Sequence, residues 1–207
     1  MNSYSQHEQD KYICETYFLD RPAGTFVDIG AYDGVTFSNS LLFEQRGWRG
    51  ICIEPNPAVF PRLRANRSST CLNCAISDKS GTADFVDVDM PAFGKMYSGL
   101  KADYDPRHVA LLNAWASASR VIHVRTRRLD EILVENDLYA LSYLSIDTEG
   151  SELKILKTID FDVFNIEVIS VENNYNDTRV RGYLQRHGYK LARLFADFDE
   201  LYVRASA

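Results

Sequence analysis

An α/β fold built on a mostly parallel sheet, with an antiparallel hairpin at its C-terminal end, is what this 207-residue sequence predicts. Strand-like and helix-like stretches alternate along the chain, which calls for parallel strands with helices over both faces. Several strand-like stretches, GICI and YLSI among them, are short apolar runs of the kind found in strands covered on both sides. The last two, 190–195 and 201–204, lie close enough in sequence to pair with each other. That pair implies one antiparallel strand at an edge of the sheet.

The elements follow from period and punctuation. A helical stretch over 6–18 ends where Pro22 and Gly24 break the chain, and residues 1–22 read as an N-terminal helical extension. A strand over 26–29 runs into glycine. A helix over 38–46 stops at Gly47. A strand over 50–54 is followed by the turn Pro55, Asn56, Pro57 and a helix reaching Asn66. A third strand covers 72–76, and Gly81 turns the chain into a strand over 82–88. Residues 89–119 mix Pro91, Gly94, Gly99 and Pro106 with Met90, Met96, Tyr97, Tyr104 and Trp115. An irregular stretch of that length reads as a substrate or lid insertion. Regular structure resumes with a strand over 120–126, a helix over 129–136, a strand over 143–146 and a helix over 151–158. A strand over 167–171 and a helix over 178–187, stopped by Gly188, precede the terminal pair. With no repeat, linker or low-complexity tract, 1–207 reads as a single domain.

Composition narrows the class. Hydrophobic residues make up 45% and charged residues 25%, an ordinary globular balance. A net charge of −6 and a pI near 5.2 argue against a nucleic-acid partner. The one dense basic patch, Arg125, Arg127 and Arg128, reads as the solvated end of a strand. The polar start MNSYSQHEQDKY lacks the apolar core of a secretory signal, and no apolar run approaches the ~20 residues of a membrane helix, so the expectation is a cytoplasmic protein without a membrane partner. Cys14, Cys52, Cys71 and Cys74 read as scattered small core residues; the CxxC of the last two lacks a second ligand pair for zinc. Nothing in the sequence sets the oligomeric state.

The chemistry begins where the first strand ends. Asp28, Gly30 and Gly34 form Asp-x-Gly-x-x-x-Gly before a helix, at the carboxyl edge where open α/β sheets bind ligands. Glycine permits a close backbone approach and positive φ. Glu54, closing the second strand, is placed to accept hydrogen bonds from ribose hydroxyls. It follows Gly34 by 20 residues, a spacing that also suits a dinucleotide-binding oxidoreductase. Two features oppose NAD. Tyr32 stands where the second glycine of G-x-G-x-x-G would admit a pyrophosphate, and Asp28 brings negative charge to the same place. A cofactor carrying an ammonium and a sulfonium suits that charge. Ser38, Pro55 and the third strand end, Ala75, Ile76, Ser77 and Asp78, complete the expected cofactor contacts, with backbone amides and an Asp side chain at an adenine ring. The bland alternatives are a tight turn at Gly30 and Gly34 and another at Ser77-Asp78.

The runs FVDIGAYDGVTFSNS, GWRGICIEPNP, NCAISD, RRLDEIL and YLSIDTEGSELKIL, in this order, resemble the FkbM family of methyltransferases over nearly the whole chain. The resemblance implies a Rossmann-like class I methyltransferase fold with a seven-stranded sheet. It implies S-adenosylmethionine as cofactor, with Asp28, Gly30 and Glu54 at its binding positions and Ser77-Asp78 in the adenine loop. It also implies O-methylation of a sugar, a glycan or a small natural product.

Two more strand ends carry acids that folding does not require. Asp147 and Glu149 follow the fourth core strand, and Glu172-Asn173 the fifth. Methyl transfer to a hydroxyl needs in-line positioning and a proton acceptor or a metal. Asp147, Glu172 and Asn173 are similar to the Mg²⁺ ligands of catechol-type O-methyltransferases, with Glu in place of Asp. In the metal-free version Asp147 or Glu172 takes the proton directly, and Asp147 also borders the cofactor. Glu149 reads better as a cap for the helix opening at Ser151. His108 lies in the irregular segment within reach of a substrate, whereas His123 alternates with strand residues and reads as structural. Lys95, Tyr97, Ser98 and Tyr104 suit an acceptor or a lid packing on the domain. The expectation is an O-methyltransferase; a non-catalytic module of the same fold is the remaining alternative.

Overall fold

The computed structural model describes residues 1–205. In chain order its elements are α1 (Gln9–Tyr17), β1 (Thr25–Ile29), α2 (Leu41–Gln45), β2 (Arg49–Ile53), α3 (Phe60–Asn66), β3 (Thr70–Leu72), β4 (Ala75–Ile76), β5 (Gly81–Asp89) and β6 (Gly99–Leu100). There follow α4 (Pro106–Trp115), β7 (Ala118–Arg127), α5 (Leu129–Glu135), β8 (Ala140–Ile146), α6 (Glu152–Leu156), β9 (Asn165–Glu172), α7 (Thr178–Arg186), β10 (Tyr189–Phe195) and β11 (Asp199–Arg204). Among the described residues no helix is long and apolar enough to cross a membrane.

Seven strands form one sheet in the order β3-β2-β1-β8-β9-β11-β10, all parallel except β11. This is the mostly parallel seven-stranded sheet with a C-terminal antiparallel hairpin expected from sequence. The hairpin is present, but its antiparallel strand is not the edge strand expected from sequence. β11 slots between β9 and β10, so β10 forms the edge. Burial explains the arrangement: β11 carries Leu201, Tyr202 and Val203 into the core, whereas β10 is largely exposed in its middle.

Alternation along β1 divides its side chains between two cores. Val27 and Ile29 join Ile51, Ile53, Leu144 and Ile146 under α5, α6 and α7. Phe26 joins Cys52, Tyr143 and Val168 under α1 and α2. Cys14, Cys52 and Cys74 are buried, Cys71 is half-buried, and all four are free thiols.

A second sheet, β4-β7-β5-β6, departs from the linear reading. The expected third strand divides between β3, in the main sheet, and β4, which pairs with β7. β5 and β7 pair antiparallel over nine residues, from Gly81↔Thr126 to Asp89↔Ala118. Residues 89–119 are also less irregular than expected. Asp105 accepts a hydrogen bond from the Arg107 amide and Pro106 occupies the first turn, so α4 is properly capped. The basic patch is largely neutralised, Arg127 pairing with Glu135 and Arg128 with Asp130.

The site sits where connections leave in opposite directions, β2 to one side of β1 and β8 to the other. Parallel register aligns Ile29 with Ile53 and Ile146, and Ile146 with Val171. The next residue on each strand therefore forms one row across the sheet: Glu54, Gly30, Asp147 and Glu172. Gly30 has φ of 89°, and a Cβ built there would lie 1.7 Å from the Asp147 carbonyl oxygen. Gly30→Ala should therefore cost roughly 2–4 kcal/mol of unfolding free energy, from crowding plus left-handed strain. Urea denaturation measures this, and a loss below about 0.5 kcal/mol would mean the strand ends relax freely.

Candidate active site

A cavity of about 380 Å³ opens at this row. Of the residues expected from sequence, Asp28, Gly30, Tyr32, Ser38, Glu54, Pro55, Ala75, Ile76, His108, Asp147 and Glu172 line it. Gly34, Ser77, Asp78 and Asn173 do not. A Cβ on Gly34 would meet Leu63 and Arg67, so this glycine serves the packing of α3, not a ligand. The Ser77 amide donates to the Arg127 carbonyl at 2.9 Å and its hydroxyl to Asp78 at 3.3 Å, which ties both residues to the second sheet beyond the cavity wall.

Glu54 is buried at the end of β2. Its Oε1 accepts from the Asn56 amide at 2.7 Å and its Oε2 from the Tyr32 amide at 3.1 Å. Each oxygen keeps a lone pair for a ligand on the cavity side. Burial pushes the carboxyl up to about 8 against those two N–H bonds. Tyr32 makes its contact with φ of 49°, an uncommon conformation for a non-glycine residue and one held here by the surrounding loop. Asp28 is sunk further in. It accepts from Ser40, and Arg67 bonds Ser40, Ser38 and the Gly34 carbonyl. Asp28 thus organises the loop 31–40 as well as lining the cavity; burial raises its carboxyl, with Ser40 and Arg67 opposing.

Asp147 and Glu172 follow the paired residues Ile146 and Val171 and so lie side by side at adjacent strand ends. Burial lifts both well above the usual carboxylate range, and the neighbouring charges of Glu149 and Asp199 lift them further. Each carboxyl, lifted by burial and by the charge of its neighbours, is a stronger base than an ordinary carboxylate, and both line the cavity.

Asn173 does not join them as a metal ligand. Its Oδ1 accepts from the Asp177 amide at 2.7 Å and its Nδ2 donates to the Asp177 carbonyl at 3.3 Å. Both polar atoms are spent on the turn before α7. Among the described residues no group of three His, Cys, Asp or Glu side chains is arranged to hold a metal ion. The expected Mg²⁺ set does not fit.

Glu149 is not the helix cap expected from sequence. No side chain caps α6 at Ser151; Glu152, its first residue, instead braces the preceding turn, its Oε1 accepting from the Thr148 amide and hydroxyl and from the Gly150 amide. Glu149, with φ of 60°, turns instead towards the cavity, where its Oε2 lies 3.2 Å from Nδ1 of His108. Nε2 of His108 is 3.2 Å from the Tyr97 carbonyl. Burial alone would push the imidazole down, but Glu149 and Tyr97 outweigh it and the ring's pKa is raised. With both nitrogens facing acceptors, the protonated form of His108 is favoured, and the ring fastens α4 to the β8 end with neither nitrogen turned to a substrate proton. Such a raised pKa stabilises the fold fully below about 6.5, the unfolded value, and the benefit fades as pH climbs through the folded value. His108→Gln should therefore lose most against wild type at about pH 6 and progressively less towards pH 9 in thermal melts. A pH-independent difference would remove the charged pair.

The sequence reading passed over Phe85, Phe93, Asn174 and Tyr175, which also line the cavity. They come from the second sheet and from turns, where no periodicity marks a ligand-facing side.

The methyltransferase FkbM domain matches residues 28–191. The 2-O-methyltransferase NoeI of Sinorhizobium fredii (strain NBRC 101917 / NGR234) is 26% identical over 142 residues, 67% of this chain. The match spans 58% of that relative's own length. The precorrin-6y C5,15-methyltransferase from Geobacter metallireducens GS-15 superposes with a TM-score of 0.47 and 14% identity, over 91% of this chain and 83% of that one.

Proposed function

From the premise that the chain belongs to the FkbM methyltransferase family, we propose that it is an S-adenosylmethionine-dependent O-methyltransferase acting on a hydroxyl of a sugar, glycan or small natural product. The row Glu54, Gly30, Asp147, Glu172 carries this reading: a ribose-type acid at one end, a pair of carboxyls of raised basicity at the other, and cofactor space between them. Five carboxylates, Asp28, Glu54, Asp147, Glu149 and Glu172, line the cavity, and Lys95, which also lines it, is already paired with Asp87 and Asp89. That donor set suits a cationic, hydroxyl-bearing cofactor and disfavours a pyrophosphate. When bound, the cofactor supplies a sulfonium methyl that passes to the acceptor oxygen, the C–S bonding pair staying on sulfur.

The chain's own residues do the rest. Glu54 would accept from the ribose hydroxyls of the bound cofactor. Ala75, Ile76 and Phe85 offer an apolar wall to the adenine. The Asp147–Glu172 pair takes the acceptor's hydroxyl proton as the new O–C bond forms. The relative named as a 2-O-methyltransferase favours oxygen over nitrogen or carbon as the acceptor atom.

Calorimetry on the purified protein should show S-adenosylmethionine binding and no NAD binding; the reverse would overturn the reading. Mass spectrometry of product captured from the native host identifies the acceptor. Because Asn173 is spent on its own turn, a saturating chelator should leave turnover unchanged, and a loss restored by Mg²⁺ would reinstate the metal.

A further inference from the structure

A second cavity, about 490 Å³, lies beside the first and shares with it the wall formed by Glu172, Asn174 and Tyr175. Nothing in the methyl-transfer chemistry requires it, and its volume is within the range that binds small ligands. Its lining has a distinct chemistry. Three acids facing it are already neutralised: Asp103 by Lys154, Asp105 by Arg107 at 2.8 Å and Asp177 by Arg179 at 2.7 Å. Glu152 is satisfied by the Thr148 and Gly150 groups of the preceding turn. Among the described residues the cavity therefore offers no unpaired cation to an anionic ligand, and Glu172 on the shared wall is its one acid not tied up in this way.

Groups without partners are polar and uncharged. Among the described residues the Asn176 side-chain amide and the Tyr175 hydroxyl make no hydrogen bond, while the Asn176 backbone amide donates to the Asn173 carbonyl at 2.9 Å. Asn174 makes one long contact, to Glu149 at 3.5 Å. Beside them stands an aromatic wall. Tyr104 stacks on His108 with centroids 4.3 Å apart, and Arg107 lies 4.4 Å above the Tyr175 ring, which stiffens that ring. Free amides and a hydroxyl beside a held aromatic face match a sugar ring, which offers C–H groups on one side and hydroxyls around its rim.

We propose that this second cavity binds the non-reacting units of a neutral oligosaccharide acceptor, whose methylated hydroxyl reaches Glu172 through the shared wall. The inference rests on the methyl-transfer reading above and specifies its acceptor as a chain of more than one sugar, held outside the cofactor cavity.

The test uses the full chain loaded with S-adenosylhomocysteine on an array of neutral, acidic and basic oligosaccharides. Neutral glycans of two or more units should be retained. Thr178→Trp, which fills the second cavity from an exposed position, should weaken retention by about tenfold or more, and Asn176→Ala by about threefold, the scale of a lost hydrogen bond. Calorimetric affinity for S-adenosylmethionine should stay within about twofold of wild type in both variants. Retention of charged glycans only, or of none, overturns the inference, as does undiminished retention by both variants. If the wild type binds no S-adenosylmethionine, the methyl-transfer reading fails and takes this inference with it. If it methylates an acceptor that Thr178→Trp handles with wild-type kcat/KM, the cavity assignment fails alone.

Discussion

Asparagine in place of Asp147 should lower kcat by about 10²–10⁴-fold, the usual contribution of a positioned proton acceptor, while cofactor affinity changes by less than about threefold. The expectation follows from register. Ile146 pairs with Val171, so the next residues, Asp147 and Glu172, are forced side by side at the cavity. Burial raises Glu172 first and the Asp147 charge raises it further. Removing that charge leaves Glu172 a weaker base and a lone one. The acidic limb of the wild-type kcat–pH profile should lie above the ordinary carboxylate range, because both members are raised. In Asp147→Asn the limb should move to lower pH, since Glu172 no longer faces a like charge. Turnover within about threefold of wild type, with an unmoved limb, would take the pair out of proton transfer.

The second large effect concerns Glu54. Glu54→Ala should weaken S-adenosylmethionine binding by about 1.5–3 kcal/mol, the scale of hydrogen bonds to a charged group. The unliganded carboxyl sits at about 8, so at neutral pH it is largely protonated. Hydroxyl donors favour its charged form, so binding lowers that value and expels a proton. Affinity should therefore rise with pH until the free carboxyl ionises near 8, and calorimetry in buffers of differing ionisation enthalpy should show proton release at neutral pH. Glu54→Gln should abolish the share of release due to this group. The sign is opposite for the empty fold. A carboxyl raised above its unfolded value costs stability as pH rises from the ordinary carboxylate range towards 8, so Glu54→Gln should flatten that decline. Affinity within about twofold of wild type in Glu54→Ala would remove Glu54 from the site.

What the sequence made legible was the row of strand ends. An apolar run followed by an acid or a glycine is a local signal, and Gly30, Glu54, Asp147 and Glu172 each carried it. The main sheet was legible for the same reason. The second sheet was not, because pairing Gly81 with Thr126 is a long-range event that leaves no local mark. The helix over 106–115 did leave one, Asp105-Pro106, which lay hidden among the prolines and glycines around it. Glu149 was read as the cap of the α6 start because a carboxylate two residues before Ser151 lies within reach of it. The left-handed turn at Glu149 and Gly150 faces it to the cavity instead, which a linear reading does not see. Asn173 looked like a ligand by position, and only the direction of its amide towards Asp177 shows otherwise.

The four members of the row come from strands far apart in the chain, yet they meet within three strand spacings, about 14 Å. No local segment of the polypeptide can assemble them. During folding the cofactor pocket is therefore a late product, completed only when β8 and β9 have docked beside β1, and long-range closure of that kind is slow. Cofactor present at the start of refolding should leave the early rate unchanged and act by trapping the finished sheet. A fragment ending before β8 would keep Gly30 and Glu54 and still lack the half of the pocket that receives the proton.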